Sequence, residues 1–195
     1  MAKTNQAKET EPMHYYFSKN PFLKYYFYGS LKESAKLAQV KPGETVLDFG
    51  CNNKMLKKYL PECNYIGYDI DPKYSDVKDY TTVRPDTVFS VSVFEYLTEE
   101  ELDSVAGDFI KMGAKQLITG QPTVNTIGKI LSFLSGTYYK NKKEFRQYYR
   151  QTHEILGRHF DLAEETNFFF GMLRIARWVP KGKNRKKGKN EIQLP

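Results

Sequence analysis

Scarcity narrows the chemistry of this chain before any motif does. Cysteine occurs twice, as Cys51 and Cys63, too few for a disulfide scaffold or for a zinc site built from cysteine alone. A reducing cytoplasm is the expected compartment. Three scattered histidines make no cluster with acids at ligand spacing, so no metal is expected. No run approaches the roughly 18 apolar residues of a membrane-spanning helix, and residues 1–12 are polar, without the apolar core of a signal peptide. There are no internal repeats.

What remains is globular: 195 residues, 40% hydrophobic and 15% aromatic, enough for one core of ordinary size. Residues 1–12 read as a flexible lead, 13–179 as the folded domain and 180–195 as a disordered tail. The net charge of +7 is unevenly placed, with six positive charges and no acid in residues 181–190, KGKNRKKGKN. Such a segment buries nothing to offset its ordering entropy. It is a solubilising end, or it makes weak contact with anionic lipid or RNA. Residues 13–28 carry eight Phe and Tyr, expected to pack across the domain, as core or as a cap over a cleft.

Strand and helix patterns alternate along the chain. A helix is expected over 29–40, with Ser30 as cap and a stripe of Leu31, Ala35, Leu37 and Ala38, stopped by Lys41-Pro42-Gly43. Thr45 to Phe49 is a short apolar run ending in an acid and a glycine, the pattern of a buried parallel strand entering a tight turn. A helix beginning over 55–60 follows. Further strands are expected over 65–69, near 76–80, over 88–93 and over 116–120. A helix over 98–112 has Thr98 as cap and Glu in its first turn. A helix over 145–158 and two strands within 160–178 complete the pattern. The fold class is α/β: a mostly parallel seven-stranded sheet with helices on both faces and a C-terminal antiparallel hairpin.

In such sheets the ligand sits at the carboxyl ends of the strands. Here that place is occupied by Asp48-Phe49-Gly50-Cys51-Asn52-Asn53. A second acid, Asp69, ends the next strand 21 residues on. One carboxylate accepts from both hydroxyls of a vicinal diol, so the pair suits an adenosine-containing ligand. The three-glycine dinucleotide fingerprint and the Lys-Ser/Thr of a phosphate loop are both missing.

Three segments carry a resemblance to the class I S-adenosylmethionine-dependent methyltransferases, in their type 11-like, small-molecule branch. GETVLDFGCNNKML (43–56) is similar to the strand-turn motif, YIGYDIDP (65–72) to the ribose-binding strand, and PDTVFSVSVFEYLTEEEL (85–102) to the fourth strand with its helix. The resemblance spans about residues 29–178 and implies a Rossmann-like methyltransferase fold with S-adenosyl-L-methionine (SAM) as cofactor. The family's second and third turn glycines are Asn52 and Lys54 here. Asn tolerates left-handed backbone; the Lys54 side chain either crowds the methionine end or points outward.

Carried over by position, the resemblance implies that Asp48, Phe49, Gly50, Cys51 and Asn52 shape and line the turn beside the methionine moiety. Asp69 holds the ribose and Ile70 packs on adenine. Asp79 accepts from the adenine amino group, with Tyr80 beside it, and Ser92, Val93 and Phe94 line the far side. Candidate catalytic residues are Glu95, Tyr96 and His153, with His14 as a further base candidate.

The Asn/Asp-Pro-Pro-Tyr signature of amino-group methylation of nucleic acids and the Pro-Cys of cytosine chemistry are absent. Residues 125–145 hold Ile127, Ile130, Leu131 and Leu134 on one helical face, beside Lys129, Lys140, Lys142 and Lys143. This is a helix on the sheet, a lid over an apolar acceptor or a membrane-surface segment. The expected function is methyl transfer to a small or lipid-linked acceptor, in the cytoplasm and, on the last reading, peripheral to a membrane. The alternatives are a SAM-fold binding or scaffold protein without turnover, and an RNA-directed methyltransferase using the tail.

Overall fold

The computed structural model describes residues 21–123 and 149–182. The lead, the amphipathic segment 125–145, His14 and most of the basic tail lie outside the described residues.

Six strands form one sheet: β1 (Thr45–Phe49), β2 (Asn64–Tyr68), β3 (Thr87–Val91), β4 (Gln116–Pro122), β5 (Phe160–Phe168) and β6 (Leu173–Pro180). Their order is β2-β1-β3-β4-β6-β5. β1 pairs in parallel with β2 and β3, and β3 with β4. The C-terminal hairpin β5–β6 adds antiparallel to β4. From β1 the chain goes first to one neighbour and then to the other, so the strand order reverses at β1. That reversal opens a crevice at the carboxyl ends of β1 and β3.

Side chains alternate between two cores. Val46, Phe89, Ile118 and Ile175 pack on one face with Leu31, Ala35 and Ala38 of α1 (Pro21–Ala38). Leu47, Val88, Leu117 and Trp178 pack on the other with Leu102 and Phe109 of α2 (Glu99–Lys111) and Ile155 and Leu156 of α3 (Tyr149–His159). Burial on both faces explains why these strands are continuously apolar. Thr98 caps α2 in a reciprocal box: its hydroxyl accepts from the Glu101 N–H at 3.2 Å and its own N–H donates to Glu101 Oε2 at 2.8 Å.

Three expectations are corrected. The sheet has six strands, because residues 76–80 form none. The 16 residues between Asp69 and Asp86 are too few for two crossovers of a dozen or more residues each. Asp76 instead closes the β2 edge alone: its N–H donates to the Gly67 carbonyl at 2.8 Å and its carboxylate accepts from the Gly67 N–H at 2.9 Å. Second, α1 begins at Pro21, whose fixed φ suits a first helical turn. Ser30 is therefore mid-helix, its hydroxyl donating to the Phe27 carbonyl at 2.8 Å. Third, Met55–Tyr59 is a single 3-10 turn and not a helix of ordinary length.

Candidate active site

Gly50, Asn52 and Lys54 all adopt left-handed backbone, with φ of 82°, 42° and 58°. These are the three positions at which the resembled motif carries glycine. The turn thus keeps its shape with two non-glycine residues, at a cost of about 1–2 kcal/mol for each ordinary side chain and less for Asn. The Gly50 and Cys51 N–H groups both donate to the Tyr68 carbonyl, at 2.7 and 3.0 Å, which fastens the turn to the end of β2. Gly67 makes room for it. A Cβ there would lie 2.7 Å from Cys51 Sγ and 3.1 Å from Lys54 Cε.

The Lys54 side chain therefore crosses β2 and pairs with Asp76, and it does not line the cleft. Lys54→Gly should leave cofactor affinity unchanged. Its stability should change by less than about 1 kcal/mol, since relief of left-handed strain offsets a half-exposed ion pair. Calorimetry and denaturant unfolding of the variant check both.

Asp69 stands opposite the turn. Its carboxylate accepts from the Asn52 N–H at 2.9 Å and from the Asp71 N–H at 3.0 Å. Ile70, next in the chain, is 93% exposed, an apolar side chain held in solvent at the mouth of the cleft. Asp48 is buried and accepts from the Tyr65 hydroxyl. Burial raises its carboxyl to about 7, opposed by the Tyr65 hydrogen bond and helped by the charge of Asp69. Burial likewise pushes the Cys51 thiol up to about 12, with Asp48 and Asp69 adding to it, so Cys51 is an inert wall group.

A cleft of about 940 Å³ joins these parts. Asp48, Phe49, Gly50, Cys51, Asn52, Asp69, Ile70, Tyr80, Ser92, Val93 and Tyr96 all line it. Phe49 stacks on Tyr68 with ring centres 5.4 Å apart, and Tyr80 meets Phe49 edge-on at 5.1 Å. The Tyr80 hydroxyl donates to Asp108 at 3.0 Å. Sequence reasoning missed Tyr68, Leu31, Met55, Leu97, Glu100 and Val105, which line the same cleft. The alternation in β2 was a usable signal for Tyr68; the others depend on how α1 and α2 dock.

Four sequence candidates lie elsewhere. Asp79 caps Thr81, accepting from its N–H at 2.9 Å and its hydroxyl at 2.7 Å, and is not a cleft residue. Phe94 is fully buried in the core under α2. Glu95 is also buried, since the 3-10 turn Phe94–Tyr96 sends it inward and Tyr96 to the cleft. His153 packs edge-on against Trp178 at 4.6 Å and lies 3.4 Å from Glu165, outside the cleft lining.

Burial raises the Glu95 carboxyl from its ordinary 4.5 to about 8. A carboxyl with a raised folded-state pKa binds more protons folded than unfolded, so stability falls as pH rises towards that pKa. His153 is held below its ordinary 6.5 by burial and acts only on the acid side. Between about pH 6.5 and pH 8 the protein should lose on the order of 1 kcal/mol per pH unit for Glu95. Glu95→Gln should flatten that slope, leaving only the part due to Asp48. Denaturant melts across this range measure it.

No family model matches the chain. Over 76 residues it is 34% identical to a ribosomal protein L11 methyltransferase of Cupriavidus metallidurans, a stretch covering 37% of this chain and 25% of that one. The structure of the pyocyanin biosynthetic protein PhzM matches with a TM-score of 0.60 at 13% identity, over 87% of this chain and 62% of that chain. Magnesium protoporphyrin IX methyltransferase (ChlM) of Synechocystis, solved with bound S-adenosylhomocysteine (SAH), matches with a TM-score of 0.54 at 14% identity, over 84% and 89%.

The chain has the Rossmann-like methyltransferase fold. It spans a quarter of the length of the L11-directed relative and under two thirds of PhzM. Relative to the seven strands expected of the methyltransferase fold, this chain lacks the strand beyond β2, where Asp76 stands instead. Among the described residues no helix is long and apolar enough to cross a membrane, and no group of His, Cys, Asp and Glu is arranged to hold a metal.

Proposed function

We propose that this chain binds SAM in the cleft and transfers its methyl group to a small or lipid-linked acceptor. One observation carries the reading: left-handed backbone at Gly50, Asn52 and Lys54 faces the Asp69 carboxylate across the crevice, with Ile70 exposed beside it. The residues fit the cofactor. Asp69 retains acceptor capacity for a ribose diol beyond its two backbone bonds. Ile70 and Tyr80 offer apolar and aromatic surface to a purine. Gly50 keeps the turn open, since a Cβ there would lie 2.3 Å from Val93 Cγ2.

When bound, SAM supplies a methyl group activated by a positively charged sulfur, for displacement by an acceptor nucleophile. The chain's task is then to orient the acceptor, exclude water and receive a proton. Of the three catalytic candidates only Tyr96 lines the cleft, so its hydroxyl is the group assigned to hold the acceptor. Both cysteines are free thiols, in keeping with a reducing cytoplasm.

The scaffold reading loses its motivation once Asn52 and Lys54 hold the turn. The RNA reading has no support from the site, because β6 pairs Leu173 with Pro122 near the cleft and delivers Pro180, the root of the tail, to the opposite end of the sheet. Incubation of the full chain with SAM tritiated on the methyl group and a fractionated cell extract should label the small-molecule or lipid fraction. Label confined to RNA or protein, or no label at all, contradicts the proposal.

A further inference from the structure

The charge of the cleft is opposite to that of the chain. The sequence carries a net charge of +7, yet no Lys, Arg or His is among the described residues that line the cleft, and four carboxylates are: Asp48, Asp69, Glu100 and Glu101. Asp48 and Asp69 belong to the turn. Glu101 Oε2 is committed to the Thr98 N–H in the capping box. Glu100 is exposed on the cleft wall, in the first turn of α2 and within no ion pair among the described residues.

The usual sources of anion affinity are spent. The N-terminus of α2 faces the cleft, but Thr98 caps it and Glu99, Glu100 and Glu101 already neutralise its positive end. Lys54, the cation nearest the turn, is drawn across β2 to Asp76. The rest of the far wall is apolar or aromatic: Leu97, Val105 and Tyr96. An anion in this cleft would meet carboxylates with no compensating cation, whereas an ammonium group gains from them.

Resting on the methyltransferase reading of this cleft, we infer that its acceptor is an apolar molecule carrying an amine, and that Glu100 sets this preference while phosphorylated and carboxylated acceptors are refused. Glu100 is a specificity residue and takes no part in the transfer itself.

The test uses matched probes, phenethylamine and 3-phenylpropanoate, at equal concentration with the full chain, read by saturation-transfer NMR with and without SAH. Non-specific attraction to a chain of charge +7 would favour the carboxylate, so preference for the amine comes from the cleft. The expected result is an amine signal at least about fivefold the stronger. Glu100→Lys should abolish that difference. Glu99→Lys makes the same charge change in the same helical turn but outside the cleft lining, and should preserve it.

A carboxylate signal equal to or above that of the amine overturns the inference. So does silence from both probes, or loss of preference in Glu99→Lys as large as in Glu100→Lys. If SAH fails to bind while the amine preference and its loss in Glu100→Lys persist, the cofactor reading fails and the charge preference of the cleft stands.

Discussion

Asp69→Ala is expected to raise the SAH dissociation constant at least about a hundredfold while the chain stays folded. Two charge-assisted hydrogen bonds to a ribose diol would be lost, each worth about 1.5–3 kcal/mol, and a hundredfold corresponds to about 2.7 kcal/mol. The same carboxylate also accepts from the Asn52 and Asp71 N–H groups, so alanine loosens the turn as well. Asp69→Asn separates the two effects. Its amide keeps one acceptor oxygen for the backbone but presents a donor where the carboxylate accepted, so affinity should still fall by at least about tenfold with less loss of stability. Calorimetry for affinity and denaturant unfolding for stability give both numbers. An Asp69→Ala protein that binds SAH as tightly as the parent would remove Asp69 from the site.

Gly50→Ala should destabilise the fold by about 3 kcal/mol through two separable causes. The backbone at Gly50 has φ of 82°, where an L side chain costs about 1–2 kcal/mol. The new methyl would also lie 2.3 Å from Val93 Cγ2 and 3.1 Å from Cγ1, a collision of about 1–3 kcal/mol. Val93→Ala removes the colliding atoms and leaves the backbone untouched. In that background the cost of Gly50→Ala should shrink to about 1–2 kcal/mol, the strain alone. Equal losses in both backgrounds would show that Val93 does not oppose the turn as the structure has it. Stability is the right readout here, because Val93 lines the cleft and its loss affects binding directly.

The parts that were legible in the sequence are those fixed by nearby residues. The acid-glycine end of β1, the acid after β2 and the Thr98–Glu101 box each satisfy their own backbone locally, and the structure places them where their spacing implied. What failed depended on distant partners. The strand expected near 76–80 is absent because Asp76 bonds to Gly67 on both sides of its peptide edge, a pairing that no periodicity announces. The same Asp76, 22 residues from Lys54, decides that Lys54 turns away from the cleft. Glu95 and Tyr96 are neighbours in sequence, and a single 3-10 turn gives one to the core and the other to the cleft. His153 sits on a helix whose direction is set by Trp178 and Glu165, both on strands later in the chain. The extent of the cleft wall on α2, Glu100 included, needed the docking of that helix against β3.

The most direct measurement is calorimetry of the full chain with SAH, using NAD as the control ligand. Micromolar binding of SAH with no binding of NAD is the expected result, because Asp69 and the left-handed turn suit an adenosine whose partner is a methionine end, while the chain lacks the three-glycine turn that a pyrophosphate needs. Binding of NAD in place of SAH, or of neither, would contradict the assignment of this cleft to a SAM-dependent methyl transfer.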